Sequence, residues 1–316
     1  MHLLITGATG FVGTHLRDYL LRETDWRITG TAFPDRPPDS CDPRERCVAL
    51  DARERESVGA LLAEVRPDAI VHLAAQSHVP TAYQDPWGTL ENNIRGELNL
   101  LEECVVQELL PRFLVIGSGE EYGRAPESAL PLREEQPLRP ENPYSVSKVT
   151  QDVLGYQYFV SYALPALRVR PFNHVGPGQS PRFVLSAFAR QVARIEAGLQ
   201  EPVLRVGNLS PARDFTDVRD VVRAYHLTLL HGEPGEVYNV CSGTPRTIQS
   251  LVDLLRERAT VPIEVEVDPE RYRPADVPVI YGSAEKLREA TGWEPRIPFE
   301  QTVEDVLEEW RESVRT

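Results

Sequence analysis

Tyr144 and Lys148 are the residues of this sequence whose types and spacing best suit acid–base chemistry. They follow Asn142 and Pro143, a helix N-cap residue and a proline at the first helical position, so the segment predicts the start of a helix. Residues four apart on a helix share one face, which makes the phenol and the ammonium neighbours. We expect the ammonium to lower the pKa of Tyr144 from about 10 towards neutrality. Such a tyrosine can exchange a proton with a carbonyl or an alcohol.

The choice of lysine at position 148 strengthens this interpretation. Of the 34 basic residues, only Lys148 and Lys286 are lysines, and the others are arginines. A lysine ammonium is a compact charge with three donors, whereas a guanidinium is planar and delocalised. Lysine at this position therefore indicates a chemical requirement.

Ser118 is the next candidate, because it follows a predicted strand at Arg112–Gly117. The carboxyl end of a central strand presents hydroxyl groups to the ligand crevice of an open α/β sheet. Ser118 can there hydrogen-bond the same substrate oxygen that Tyr144 protonates. The alternative interpretation is a serine that only caps the strand.

Short apolar runs alternate with helical patterns through the first half of the chain, and this alternation predicts the fold. The strand candidates are His2–Thr6, Trp26–Thr31, Cys47–Leu50, Ala69–Leu73, Arg112–Gly117 and Ala166–Arg170. They predict an α/β fold with a doubly wound parallel (Rossmann) sheet and a smaller, interleaved α/β substrate-binding domain. We predict a sheet domain at residues 1–170, with 214–240 returning to it, and a substrate-binding domain at 171–213 and 241–316.

A glycine-rich turn after the first predicted strand indicates a dinucleotide site. Gly7, Gly10 and Gly13 have the spacing GxxGxxG, and they stand where a strand gives way to a helix. In this context the first glycine permits a tight turn, the second lets the backbone approach a pyrophosphate, and the third allows close packing of helix on strand. Lys148 could hydrogen-bond the nicotinamide ribose of a dinucleotide bound at this turn.

The second strand favours NADP over NAD, although NAD stays possible. An NAD site has a carboxylate at the end of this strand, where the sequence instead has Thr31-Ala32-Phe33, with Asp35 and Arg36 a little later. Arg36 could bind a 2′-phosphate, and Asp51, after the third strand, could hold the adenine amine. Either residue could equally be a solvated surface charge.

Composition excludes several other classes of function. The net charge of −14 argues against a nucleic-acid partner, which requires a basic footprint. The sequence has no secretory signal and no apolar run long enough for a membrane helix, so we expect a cytoplasmic protein without a membrane partner. The four cysteines lack metal-ligand spacing, and we predict no metal site.

With these motifs in place, the chain resembles the extended short-chain dehydrogenase/reductase family, also called the NAD-dependent epimerase/dehydratase family, over nearly its full length. Within it, the closest resemblance is to the GDP-4-dehydro-6-deoxy-D-mannose reductases. The segments that carry this resemblance are 172–179 (FNHVGPGQ), 206–209 (VGNL), 212–220 (ARDFTDVRD) and 273–278 (RPADVP).

The resemblance implies roles for individual residues. Ser118, Tyr144 and Lys148 are the implied catalytic residues, and Asn93 is the implied structural asparagine. The predicted cofactor contacts are Gly7, Gly10, Phe11, Val12, Gly13, Arg36, Asp51, Ala52, Leu73, Ala74, Ala75, Tyr144, Lys148 and Pro171. The predicted substrate contacts are Ser118, Glu120, Asn173, Asn208, Arg213 and Arg273, where the two arginines could clamp a diphosphate.

Three reactions fit these residues. We predict reduction of the C4 ketone of a nucleotide-linked 4-keto-6-deoxyhexose, which would convert GDP-4-dehydro-6-deoxy-D-mannose into GDP-D-rhamnose. A GDP-mannose 4,6-dehydratase is an alternative, because Glu120 and residues 76–79 look dehydratase-like. Related dehydratases, however, carry Thr-Asp-Glu or Thr-Ser-Glu where this chain has Ser118-Gly119-Glu120. A sugar-nucleotide 4-epimerase uses the same serine, tyrosine and lysine.

The sequence leaves two properties open. No motif encodes the stereochemistry at C4, which separates a D-rhamnose from a 6-deoxy-D-talose product. The stripe Val149, Val153, Tyr156 and Val160 could form a homodimer interface, as in many relatives, or could pack on the sheet. A non-catalytic nucleotide sensor is disfavoured because Tyr144 and Lys148 are both present.

Overall fold

The computed structural model describes residues 1–33, 42–269 and 277–315. A seven-stranded sheet dominates it, and every pair of neighbouring strands in that sheet is parallel. With strands numbered along the whole chain, its members are β1 (His2–Thr6), β2 (Arg27–Ala32), β3 (Glu45–Ala49), β4 (Ala69–His72), β5 (Arg112–Ile116), β6 (Ala166–Pro171) and β10 (Val237–Val240). Their order across the sheet is β10-β6-β5-β4-β1-β2-β3.

Helices cover both faces of this sheet, because its strands are apolar on both sides. They are α1 (Phe11–Glu23), α2 (Arg55–Val65), α5 (Gly96–Val106), α6 (Pro143–Tyr162) and α8 (Val218–His231). Two short helices, α3 (Val79–Gln84) and α4 (Pro86–Leu90), pack on α6. Leu20 of α1 and Val221 of α8 share one apolar core, whereas Leu62 of α2, Leu101 of α5 and Tyr158 of α6 share the core on the other face. A π-helical turn at Glu91–Arg95 joins α4 to α5.

A smaller set of elements packs around a third apolar core. Its helices are α7 (Val184–Glu196), α9 (Ile248–Arg258) and α11 (Phe299–Arg315), while α10 (Glu285–Thr291) packs against α8 and β10 of the large sheet. Its strands are β7 (Asn173–Val175), β8 (Val203–Val206), β9 (Ala212–Asp217), β11 (Pro245–Thr247), β12 (Glu264–Val267) and β13 (Val279–Ile280). Strand β9 pairs with β7, β11 and β13, and β8 pairs with β12.

These elements confirm the predicted fold class, an α/β fold built on a doubly wound parallel sheet. Strand order reverses at β1, which pairs with β2 on one side and β4 on the other, so a crevice opens there at the carboxyl ends of the strands. Within residues 214–240, α8 and β10 pack on the large sheet, whereas β9 lies in the smaller one. The division of the chain into two domains stays a prediction. Among the described residues, no helix is both long and apolar enough to span a membrane.

Candidate active site

A cavity of about 430 Å³ lies at the carboxyl ends of β1, β4, β5 and β6, where the smaller set of elements faces the sheet. Its lining combines the glycine-rich turn, the start of α6 and the segment that leads into α7. The predicted site residues that line it are Gly7, Gly10, Phe11, Val12, Gly13, Leu73, Ala75, Ser118, Glu120, Tyr144, Lys148, Pro171 and Asn173.

Other predicted cofactor residues lie apart from the cavity lining. The Asp51 carboxylate accepts hydrogen bonds from Arg53 Nε at 2.9 Å and from Arg53 Nη2 at 2.6 Å, and this ion pair lowers the pKa of Asp51. The carbonyl of Ala52 accepts a hydrogen bond from Asn99 Nδ2 at 2.9 Å. Ala74 lies directly behind the glycine turn, and its N–H donates to Thr6 Oγ1 at 3.2 Å.

The predicted substrate residues divide in a similar way. Asn173 is exposed on β7 and faces the cavity. Asn208 accepts hydrogen bonds from the backbone and the hydroxyl of Ser210, and Arg213 donates to the carbonyls of Ala212 and Val277. Neither residue contributes to the cavity wall, so their contacts to a substrate stay predictions. Arg36 and Arg273 lie outside the described residues.

The turn after β1 has the geometry that a phosphate site needs. Gly7 has a φ of 68°, and a Cβ atom placed on it would lie 2.9 Å from the backbone nitrogen of Ala74. The N–H of Gly10 donates to the carbonyl of Gly7 at 3.0 Å, and α1 begins at the next residue. No side chain in the described part of the chain caps α1, which leaves its first N–H groups available to an anion.

Two buried polar atoms of the cavity wall also fit a polar ligand. Gln179 Oε1 and the Tyr225 hydroxyl have no hydrogen-bond partner among the described residues. The Gln179 amide is oriented by its own N–H group, which donates to the carbonyl of His174 at 3.0 Å. Sequence reasoning missed both residues. Gln179 stands inside the segment that carries the resemblance, but Tyr225 occupies an ordinary core position of α8.

The structure places the Ser118 and Tyr144 hydroxyls together. Burial and the nearby Glu120 carboxylate raise the pKa of Tyr144 well above its usual value, although a hydrogen bond with the Ser118 side chain opposes this rise. The expectation that Lys148 would bring this pKa towards neutrality is therefore wrong for the structure described. The phenol stays protonated at neutral pH, which is the form that donates a proton to a carbonyl oxygen.

Lys148 is buried beneath Tyr144. Its Nζ donates to the carbonyl of Ile116 at 2.8 Å and lies 6.0 Å from the centre of the Tyr144 ring. Burial lowers the pKa of Lys148 to about 8, although the carboxylates of Glu97 and Glu121 act in the opposite direction. The ammonium is therefore held in a poorly solvated place, where its charge acts strongly on its neighbours.

A short 3-10 turn at Gly119–Tyr122 fixes the position of Ser118. The backbone N–H of Ser118 donates to Glu121 Oε1 at 2.6 Å, and Ser118 Oγ accepts from the N–H of Glu120 at 3.2 Å. Glu120 Oε2 in turn accepts a hydrogen bond at 2.9 Å from Asn142 Nδ2, the residue that caps α6. This bond connects the turn to the N-terminus of the tyrosine helix.

Asn93 connects the same helix to the loop after β4. Its Nδ2 donates to Ser147 Oγ at 2.9 Å and to the carbonyl of Gln76 at 3.0 Å, and its Oδ1 accepts from the N–H of Gln76 at 2.7 Å. These contacts lie one residue from Lys148 and outside the cavity wall. They agree with the structural role that the resemblance implies for this asparagine.

The chain is similar in sequence to enzymes that act on nucleotide sugars. The sequence model of the GDP-mannose 4,6-dehydratase family matches residues 4–306. The chain is 42% identical to the GDP-6-deoxy-D-mannose reductase of Pseudomonas aeruginosa over 99% of this chain and 98% of that protein.

Two solved structures superpose on this chain over nearly its whole length. A structure described as RMD from Pseudomonas aeruginosa complexed with NADPH superposes with a TM-score of 0.88, at 41% identity and 99% coverage of both chains. The UDP-glucose 4-epimerase of Thermus thermophilus in complex with NAD superposes with a TM-score of 0.85, at 29% identity over 98% of this chain and 99% of that chain. The chain therefore belongs to the GDP-mannose 4,6-dehydratase family of extended short-chain dehydrogenases/reductases.

Proposed function

We propose that this protein reduces the C4 ketone of GDP-4-dehydro-6-deoxy-D-mannose with NADPH and releases GDP-D-rhamnose, that is, GDP-6-deoxy-D-mannose. The observation that carries the proposal is the Ser118–Tyr144 hydroxyl pair facing the cavity, in a chain that is 42% identical to a GDP-6-deoxy-D-mannose reductase over nearly its whole length.

The residues around the cavity supply the acid half of this reduction. Bound NADPH supplies a hydride for C4. Tyr144, protonated at neutral pH, donates its proton to the ketone oxygen as charge develops there, and Ser118 hydrogen-bonds that oxygen. The Lys148 ammonium stabilises the phenolate that remains and offers further N–H donors to the cofactor ribose. The product alcohol has then gained one hydride and one proton.

We propose NADPH as the hydride donor on two grounds. The relative from Pseudomonas aeruginosa was solved with NADPH. Among the described residues, β2 ends at Ala32 and is followed by Phe33, so neither position offers the carboxylate that an NAD site would place against the ribose 2′-hydroxyl. The N–H groups at the start of α1, which no described side chain caps, could bind the pyrophosphate of either dinucleotide.

A 4,6-dehydratase is the second candidate, because the Glu120 carboxylate also lines the cavity. The residue before it argues against this reaction. Gly119 lies against the ring of Phe172, and a Cβ atom at position 119 would come within 2.9 Å of that ring. The Asp or Ser that dehydratases carry there would have to displace a buried aromatic side chain. The cavity wall thus supports reduction better than dehydration.

We also propose that the chain forms a homodimer through the outer face of α6. Val146, Val153, Tyr156 and Val160 recur along one side of this helix with exposed fractions of 39, 51, 47 and 63%. Val106, at the end of the neighbouring α5, is 64% exposed. Exposed apolar residues on two helices that contact each other suit a self-complementary interface. The cytoplasmic location expected from the sequence stays a prediction.

Replacing Tyr144 by Phe tests the proposed function. With GDP-4-dehydro-6-deoxy-D-mannose as substrate, we expect NADPH oxidation by Tyr144→Phe to fall by about 10² or more, the usual contribution of a general acid. Tyr162→Phe removes an exposed hydroxyl from the same helix and serves as the matched control. Turnover by Tyr144→Phe at the rate of the control would refute the assignment. Formation of a 4-keto product from GDP-mannose alone would favour the dehydratase.

A further inference from the structure

Arg182 is a charged side chain of the cavity wall that the proposed reaction leaves unused. Among the described residues that line the cavity it is the only arginine, and it is exposed. Its backbone N–H donates to Ser180 Oγ at 3.4 Å, but its guanidinium forms no hydrogen bond or ion pair within the described part of the chain. The five N–H donors of this group are therefore available to a ligand.

The backbone that carries Arg182 is anchored on both sides of the cavity. The N–H of Phe183, the next residue, donates to the carbonyl of Ser180 at 3.1 Å. The ring of Phe183 lies 6.0 Å from that of His78, on the loop after β4, with the two ring planes close to perpendicular. The segment that contains Arg182 is thus held against the sheet domain at the edge of the cavity.

The surroundings of Arg182 are favourable for an anion. The wall residues between 171 and 184 include Arg182 and no acid, whereas Glu120 belongs to the segment after β5, near Tyr144. Helix α7 begins two residues after Arg182, and no described side chain caps its first N–H groups. The positive end of this helix dipole adds to the charge of the guanidinium.

The other basic residues considered for a substrate diphosphate are placed differently. Arg213 lies outside the cavity wall, where it donates to two backbone carbonyls, and Arg273 lies outside the described residues. Lys148 lines the cavity, but it is only 3% exposed and donates to the carbonyl of Ile116 beneath the catalytic tyrosine. Arg182 is therefore the exposed cation of the described wall.

We propose that Arg182 binds the diphosphate of the sugar nucleotide. In the proposed substrate the diphosphate is attached to C1, across the sugar ring from C4. A ketone held at Tyr144 therefore directs the diphosphate away from the catalytic hydroxyls. A guanidinium can donate two parallel hydrogen bonds to the oxygens of one phosphate group. The identity of the nucleotide rests on the proposed function, whereas a diphosphate site at Arg182 does not.

Nucleotide binding without turnover tests the proposal, with calorimetric titrations of GDP and NADPH as the readouts. We expect Arg182→Gln to bind GDP about tenfold to a hundredfold more weakly, the effect of losing hydrogen bonds to a charged group, and to bind NADPH normally. Arg182→Lys keeps the charge without the planar fork and should recover part of the loss. Arg288→Gln changes an exposed arginine of α10 outside the cavity wall and is the matched control.

Two results of these titrations would overturn the inference. One is a GDP affinity of Arg182→Gln equal to that of the control. The other is a loss of NADPH affinity as large as the loss for GDP, which would place Arg182 at the cofactor.

Titrations with UDP and dTDP distinguish the inference from the proposed function. A wild type that prefers one of these to GDP, and loses that affinity in Arg182→Gln, would reject the proposed substrate and keep the diphosphate site. A wild type that binds none of the three nucleotides would overturn the site.

The kinetics of NADPH oxidation give a second, independent readout. With GDP-4-dehydro-6-deoxy-D-mannose, we expect Arg182→Gln to raise KM about tenfold or more and to change kcat about twofold at most, because a diphosphate contact binds substrate and transition state alike. Turnover with an unchanged KM would reject the role of Arg182 and keep the proposed function.

Discussion

Replacing Gly7 by Ala perturbs the turn that we assign to the dinucleotide. Gly7 has a φ of 68°, a conformation that costs an L-residue about 1–2 kcal/mol, partly offset by about 0.4–1 kcal/mol from a stiffer unfolded chain. The new Cβ would also lie 2.9 Å from the backbone nitrogen of Ala74, and overpacking of this kind costs about 1–3 kcal/mol. We therefore expect Gly7→Ala to lower the free energy of unfolding by about 2–4 kcal/mol.

Gly198→Ala is the matched control for this substitution. Gly198 has a φ of 70°, but beyond its two chain neighbours nothing lies within 4 Å of the position that its Cβ would take, so only the conformational cost applies. That variant should lose about 1 kcal/mol and bind NADPH normally. Gly7→Ala should in addition bind NADPH at least about tenfold more weakly, because the displaced turn no longer directs its N–H groups at the phosphates. Urea unfolding and fluorescence titration measure both quantities. Equal losses of stability with equal NADPH affinity would refute the reasoning.

Three further predictions concern the hydroxyl pair, a buried histidine and the outer face of α6. Ser118→Ala should lower kcat about 10²-fold with little change in KM, as expected when one donor to a developing oxyanion is lost; an unchanged kcat would leave Ser118 a structural residue. Burial lowers the pKa of His72 to about 3, so below pH 6.5 the unfolded chain binds a proton that the folded protein does not. Urea unfolding of the wild type and of His72→Asn measures this effect. Below pH 6.5, the free energy of unfolding of the wild type minus that of the variant should fall by about 1.4 kcal/mol for each pH unit of acidification. A difference that does not change with pH would contradict this. Val153→Glu should give a monomer in sedimentation, whereas Val261→Glu, at another exposed valine, should not; a dimeric Val153→Glu would reject the proposed interface.

The features that the sequence predicts correctly are those with a local cause. Gly7 stands between an apolar run and a helix start, and the structure places it in the expected turn with a positive φ. Asn142 and Pro143 predict the first residues of α6, and the cap is present. Regular alternation of apolar runs and helical patterns was sufficient to predict the parallel sheet.

The features that the sequence does not predict depend on packing between distant segments. Tyr225 faces the cavity because α8 lies against the sheet, but its spacing along the chain is that of any core residue. The pKa of Tyr144 rises because neighbouring elements bury it, which the lysine four residues later cannot reveal. Glu97 has the sequence context of a surface residue, and only the packing of α5 on α6 removes it from water.

The central claim is reduction at C4, and isotope transfer tests it most directly. The enzyme is given GDP-4-dehydro-6-deoxy-D-mannose and NADPH that carries deuterium at its transferable position, and the sugar is analysed by NMR. We predict GDP-D-rhamnose with one deuterium at C4 and none elsewhere. Deuterium at C6, no transfer to the sugar, or a 6-deoxy-D-talose product would contradict the account.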